Sequence, residues 1–192
     1  MTKTGPGVRE ILHELWHAWR GAQNWGQRPD RPAGLDGWLY GDSYELLIQP
    51  LDEGRNALPI ALAERLLTRV LPVLRRGRRE DGYLCADYAV RRFAPRALRV
   101  RGLSTVASEL ESLPALTDRT SVARGYAVAA EHVKTRDAGE GPGAVQLAAW
   151  AAWAAREGSV HEALMLALDT AIEANDTIVI PEWFDRIEGG ER

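Results

Sequence analysis

The sequence predicts a mainly α-helical, bundle-like domain with a small β-hairpin or short sheet near its N-terminal third. Three observations carry that expectation. Apolar residues recur at helical spacing through most of the chain. The run Ala144 to Arg156 is apolar nearly all round, as a helix at the centre of a bundle must be. Only one stretch, Trp38 to Gln49, places β-type residues on either side of a turn. Residues 1–56 then hold a helix, a loop and the hairpin, and residues 57–192 an α-helical region. Together they form one compact domain.

Residues 7 to 22 read as the first helix, with Val8, Ile11, Leu12, Leu15 and Trp19 in one stripe. Asn24 to Gly37 is rich in Gly, Pro, Asp and Arg and reads as a loop, held extended by Arg28-Pro29 and Arg31-Pro32. Trp38-Leu39-Tyr40 and Tyr44 to Gln49 flank Gly41-Asp42-Ser43 as a hairpin, and Thr177 to Ile180 is β-branched enough to pair with it. Asn56 caps a helix to about Arg76, with Leu58, Leu62, Leu66, Val70 and Leu74 inward and a kink at Pro72. Leu84 to Ala94 is a helix interrupted by Pro95. Ser104 to Leu113 and Ser121 to Lys134 follow, and Asp137 to Gly143 is a flexible connector. After Ala144 to Arg156, Gly158 ends the central helix and Ser159-Val160-His161-Glu162 opens the next as a capping box. Pro181 starts a last short helix with Trp183, Phe184 and Ile187 facing inward.

The 192 residues are 45% hydrophobic, enough for a core without a metal or disulfide staple. Cys85 is the only cysteine, which excludes an internal disulfide and fits a reducing cytoplasm. No apolar stretch approaches the roughly 18 residues of a membrane span, and no signal peptide is expected. The net charge of −3 gives no global attraction to nucleic acid. Basic residues are nearly all Arg, with only Lys3 and Lys134 as lysines, a coding bias that suggests a GC-rich bacterial genome.

One catalytic pattern occurs. His13-Glu14-Leu15-Trp16-His17 spells H-E-x-x-H. On a helix, two histidines four apart share a face and bind zinc, and the glutamate between them polarises the attacking water. In that reading His13 and His17 are metal ligands, Glu14 is the general base and zinc is the cofactor of a hydrolase. The apolar stripe centres on Leu15 and Trp19, however, and His17 points away from it. No histidine follows at the short metzincin spacing, and Glu45, Glu131, His132, His161 and Glu162 are third ligands only by availability. A solvated helix face fits the wheel better, and no cofactor is then expected. A bundle-core site joining His13 and His17 to His132 or His161 would need the histidine face buried.

Two clusters point to binding. Arg69, Arg75, Arg76, Arg78 and Arg79 precede Arg91, Arg92, Arg96, Arg99 and Arg101, with only Glu80, Asp81 and Asp87 as acids from Arg75 to Arg101. Arginines sharing a face recognise phosphates or an acidic partner protein. Trp25, Trp38, Tyr40 and Tyr44, with Arg28 and Arg31 nearby, have the composition of a protein-binding hot spot, or else pack the hairpin onto the first helix. Cys85 lies among Tyr83, Leu84 and Tyr88 and reads as an inert core thiol. No Gly-x-Ser-x-Gly elbow and no glycine-rich phosphate loop is present.

The segment Leu84-Cys-Ala-Asp-Tyr-Ala-Val-Arg, the helix Val122 to Val133 and the Ala-rich helix Ala144 to Arg156 resemble the helical array of a family of bacterial immunity proteins. The likeness covers roughly the last hundred residues and lies in the texture of Ala-rich helices with interspersed His and Arg, not in a motif. It implies a cytoplasmic protein that binds and neutralises a partner. The reading that follows is a protein that binds another macromolecule, a protein in the first instance, through Arg75, Arg76, Arg78, Arg79, Arg91 and Arg92 or the aromatics Trp25, Trp38 and Tyr40. A zinc hydrolase and an arginine-driven nucleic-acid binder are the alternatives.

Overall fold

A proline inside a helix removes one backbone donor, and its ring collides with the carbonyl four residues back. Among the described residues, Pro72 and Pro95 sit within long helical stretches and are treated alike. In the computed structural model, which describes residues 59–74, 76–133, 143–174 and 178–190, helix α1 (Ile60–Arg65) runs into a π-helical turn (Leu66–Val70) and on into α2 (Leu71–Leu74). Helix α3 (Arg79–Tyr88) runs into a second π turn (Ala89–Phe93) and on into α4 (Ala94–Val100). Each π turn closes two residues before its proline, Pro72 or Pro95. At the second, the Ala94 N–H reaches back five residues to the Ala89 carbonyl, and the wider turn leaves room for the proline ring. The interruption expected at Pro95 therefore does not occur. Residues 79 to 100 form one continuous helical stretch, and it begins at Arg79, five residues before the expected start.

The chain divides into two units, Met1–Arg69 and Val70–Arg192. In the first, the described residues are 59–69, that is Pro59, α1 and the π turn up to Arg69, where Ala63 and Leu66 are buried. The second unit continues past α4 with α5 (Ser104–Glu111), α6 (Arg119–Val133), α7 (Ala144–Arg156), α8 (Val160–Glu173) and α9 (Val179–Gly189). It is mainly helical, and no strand occurs among the described residues. The expected first helix and the hairpin at Trp38 to Gln49 lie outside them.

Helix α7 is the centre of this unit and packs against α3, α6, α8 and the second π turn. Nine of its thirteen residues are buried, six of them alanines from Ala148 to Ala155 with Ala144 at the start. Small side chains let the neighbouring backbones come close, while Trp150 and Trp153 are half-buried at its margin. Helix α8 buries almost every residue from Glu162 to Ile172, and the Thr170 hydroxyl satisfies itself on the Leu166 carbonyl at 2.7 Å.

Val179 and Ile180, the described end of the expected strand, are helical instead. Ile180, Trp183, Phe184 and Ile187 fall at the spacing of one helix face and are each 2% exposed or less. Burial of that stripe, about 2–3 kcal/mol for each large side chain, outweighs a β propensity that is itself largely a matter of context. Trp183 lies against Phe93, Tyr88 and Phe184 with ring centroids 5.3, 6.0 and 5.4 Å away. The Tyr88 hydroxyl donates to Glu182 Oε1 at 2.7 Å, and Arg186 lies over the Tyr88 ring.

The helix ends follow simple hydrogen-bond rules. Gly158 adopts φ +84°, Gly158 N–H donates to the Ala155 carbonyl and Ser159 N–H to the Ala154 carbonyl, which closes α7 in a left-handed turn. That turn also overturns the capping box expected at Ser159 to Glu162. The Ser159 N–H that the Glu162 carboxylate would have accepted from is already taken at 2.8 Å, and the cap makes no side-chain hydrogen bond. Helix α6 starts two residues before the expected Ser121, because Asp118 Oδ1 accepts the Ser121 N–H at 2.7 Å. Asp87 accepts both the Leu116 N–H and Arg91 Nη1, each at 2.8 Å, and so ties the extended segment before α6 to α3. Among the described residues no helix is long and apolar enough to cross a membrane.

Candidate functional site

The arginine-rich span from residue 75 to 101 is the part of the expected binding apparatus that the structure describes, save Arg75. Its arginines divide into two sets. Arg91 pairs with Asp87 at 2.8 Å, Arg99 pairs with Glu111, and Arg101 reaches Glu173 at 3.5 Å. Arg92, Arg96, Arg99 and Arg101 are exposed, and Arg91 is half-buried. Arg76, Arg78 and Arg79 are exposed and make no ion pair among the described residues, and the same is true of Arg92. From Arg79 to Arg92 the helix rises about 20 Å. The single continuous patch that the sequence suggested is thus divided along the helix.

The first set is placed by glycines. Gly77, at φ +65°, stops α2 by donating its N–H to the Leu74 carbonyl and sets Arg76 and Arg78 on either side of a turn. Arg78 is extended (φ −68°, ψ 126°) and Arg79 begins α3. Three residues on, Gly82 has no side chain, and a methyl group there would already meet Val160 at 3.5 Å. This close approach brings the first turn of α3 against the first turn of α8. Arg79 then lies beside the α7–α8 turn, its Nε 3.8 Å from where a Gly158 side chain would begin. Arg78 Nη1 lies 3.4 Å from the equivalent point on Gly190, at the end of α9. One end of the bundle is thereby surfaced by arginines laid over bare backbone.

The carboxylates at this end face the other way. Asp81 is 4% exposed and Glu162 is 5% exposed. Burial pushes the Asp81 carboxyl above the ordinary carboxylate range, while the Arg78 and Arg76 charges pull it back down. Asp81 Oδ2 has no hydrogen-bond partner. Glu80 is exposed, and Arg156 is occupied by Glu157 at 2.8 Å and by the Tyr126 ring. With Asp81 and Glu162 buried and Glu157 paired, the exposed Arg76, Arg78 and Arg79 outnumber the exposed Glu80, on a molecule whose net charge is −3. One turn past Asp81, Cys85 is fully buried, and burial raises its thiol far above the reactive range, which agrees with an inert core cysteine.

The other expected site residues fall elsewhere. His13, Glu14 and His17 lie outside the described residues, as do Trp25, Trp38, Tyr40, Tyr44 and Arg75. Among the described residues no group of three metal-ligating side chains is assembled. His132 Nε2 sits 3.0 Å from Glu109 Oε2, joining α6 to α5. Asp81 is the residue that sequence reasoning missed. Beside Glu80 it looks like an ordinary first-turn acid, and only the packing of Gly82 on α8 turns one carboxylate in and leaves the other out. No known protein family, curated protein or solved structure matches the chain.

Proposed function

We propose that the protein acts by binding a partner protein in the bacterial cytoplasm, in the neutralising manner that its likeness to immunity proteins implies. The observation that carries this reading is the set of exposed arginines that make no ion pair among the described residues, Arg76, Arg78, Arg79 and Arg92, on a molecule of net negative charge. A guanidinium left in water forms bidentate bonds to carboxylates readily when a partner supplies them. Such a surface raises association rates and selects partners by charge.

Affinity capture tests it. The immobilised full-length chain should retain one protein in stoichiometric amount from a lysate of its own cells. A variant with Arg76, Arg78, Arg79 and Arg92 all changed to Glu should lose that protein while keeping its helical circular dichroism. Retention of nothing, or equal retention by the variant, would overturn the reading.

The spacing of His13, Glu14 and His17 favours a second reading, a zinc-dependent hydrolase. It requires stoichiometric zinc in protein purified without added metal, lost in His13→Ala and kept in Glu14→Gln. Metal-free, folded protein would remove it.

A further inference from the structure

Building on the binding role proposed above, we infer that docking is confined to the end of the bundle where α3 and α8 begin, and that its occupant is a carboxylate-rich segment of a partner protein. Arg76, Arg78 and Arg79 are exposed there and outnumber the exposed acids, Glu80 and the Glu157 already paired with Arg156, while Asp81 and Glu162 are buried. The turns beside Arg78 and Arg79 are Gly190 and Gly158, at φ +56° and +84°, and at those two positions bare backbone lies next to the guanidinium. The second arginine set is not equivalent, since Arg91, Arg99 and Arg101 are already held by Asp87, Glu111 and Glu173.

Charge distribution favours a protein over a nucleic acid. Residues 102–192 carry 15 acidic and seven basic side chains. A polyphosphate longer than the three arginines would meet a stretch of chain richer in acids than in bases, and sustained backbone tracking needs more cations than this end supplies. A short acidic loop places its charge on the arginines and nowhere else.

The test uses two labelled polymers of equal charge, a polyglutamate peptide and an oligothymidylate, titrated with the full-length protein at low salt and followed by anisotropy. Polyglutamate should bind, and Arg78→Glu with Arg79→Glu should weaken it by about tenfold or more, as expected for reversal of close charge pairs. Arg92→Glu should cost less, and Arg119→Glu with Arg124→Glu, two exposed sites on α6, should cost no more than about twofold. Circular dichroism checks that each variant folds. A larger loss from Arg92→Glu than from the Arg78/Arg79 pair would overturn the placement but leave the arginine reading standing. Tighter binding of the oligothymidylate would replace the protein partner with a nucleic acid. Binding of neither polymer would overturn the placement and the reading beneath it together.

Discussion

Between residues 91 and 101 three arginines find carboxylates, Arg91 on Asp87 one turn back, Arg99 on Glu111 and Arg101 on Glu173, while Arg92 finds none among the described residues. Between 76 and 79 they find none among the described residues, although Glu80 and Asp81 are adjacent in sequence. Both stretches are rich in arginine. What differs is where packing sends the acids. Asp87 Oδ1 accepts both the Leu116 N–H and Arg91 Nη1, so the residue is buried and partnered at once. Asp81 is as deeply buried, but Gly82 draws it against α8 and its Oδ2 meets nothing. The comparison teaches that an arginine cluster becomes a surface only where the fold withdraws its counter-charges.

The sharpest way to break this comparison is at Asp87. Asp87→Ala strips an acceptor from a buried backbone N–H and a partner from a half-buried guanidinium. Leaving both unpaired should cost about 2–4 kcal/mol in denaturant unfolding. A loss under about 1 kcal/mol would mean that Asp87 does not hold the segment before α6, and that the two stretches differ less than the geometry says.

Asp81 should behave in the opposite sense. Its carboxyl is raised in the folded state, so its contribution is fully present below the unfolded carboxylate value and is lost as pH rises through the folded one. Asp81→Asn removes that loss. The variant should be more stable than the parent near neutral pH, by about 1 kcal/mol, with the gap closing as the pH falls towards 4. Thermal melts across pH 4 to 8 would show it. A variant that melts below the parent at every pH would place a real partner on the Asp81 carboxylate.

Asp118 gives the smaller, mirror-image pH effect. Its carboxylate accepts from the Ser121 N–H, which holds its pKa below the ordinary value. The α6 cap is therefore worth most above the unfolded carboxylate value and is lost as pH falls through the lowered folded one. Asp118→Asn should lower the melting temperature slightly near pH 7 and converge with the parent in acid. An unchanged melt at pH 7 would sink the cap.

These contrasts explain what the sequence could and could not say. Helical spacing located α5, α6, α8 and α9 to within a few residues, and α7 to its ends, because apolar periodicity is a local signal that tertiary packing reinforces. The Trp183, Phe184 and Ile187 stripe was legible for the same reason. Pro95 misled because the rule that proline breaks a helix assumes α geometry, and a π turn two residues earlier relaxes the clash. Val179 and Ile180 misled because β-branching says little about a segment whose partner surface is unknown. The capping box failed through competition for a single N–H, which depends on how the preceding helix ends. The division of the arginines was illegible outright. Glu80 and Asp81 differ by one methylene and one position, and only the approach of α3 to α8 makes one a surface charge and the other a buried acid.

The smallest expected effects are the ones that decide whether the arginines at residues 76–79 are surface or scaffold. Arg99 and Glu111 form an exposed pair, the side chains 44% and 42% accessible, and pairs of that kind contribute little because water screens them. Arg99→Ala should therefore leave the denaturation midpoint almost unchanged, and the small shift should shrink further at high salt as screening removes the attraction. Arg79→Ala should be equally slight but insensitive to salt, since no carboxylate holds the side chain. If Arg79→Ala instead destabilises the fold by more than about 1 kcal/mol, its contact with the Gly158 turn is a structural brace. The arginine would then be retained for the α7–α8 junction, and its charge would be free for no partner. If stability is unmoved while polyglutamate binding falls, the same side chain is doing nothing for the fold, and its position over bare backbone has to be explained by what it binds.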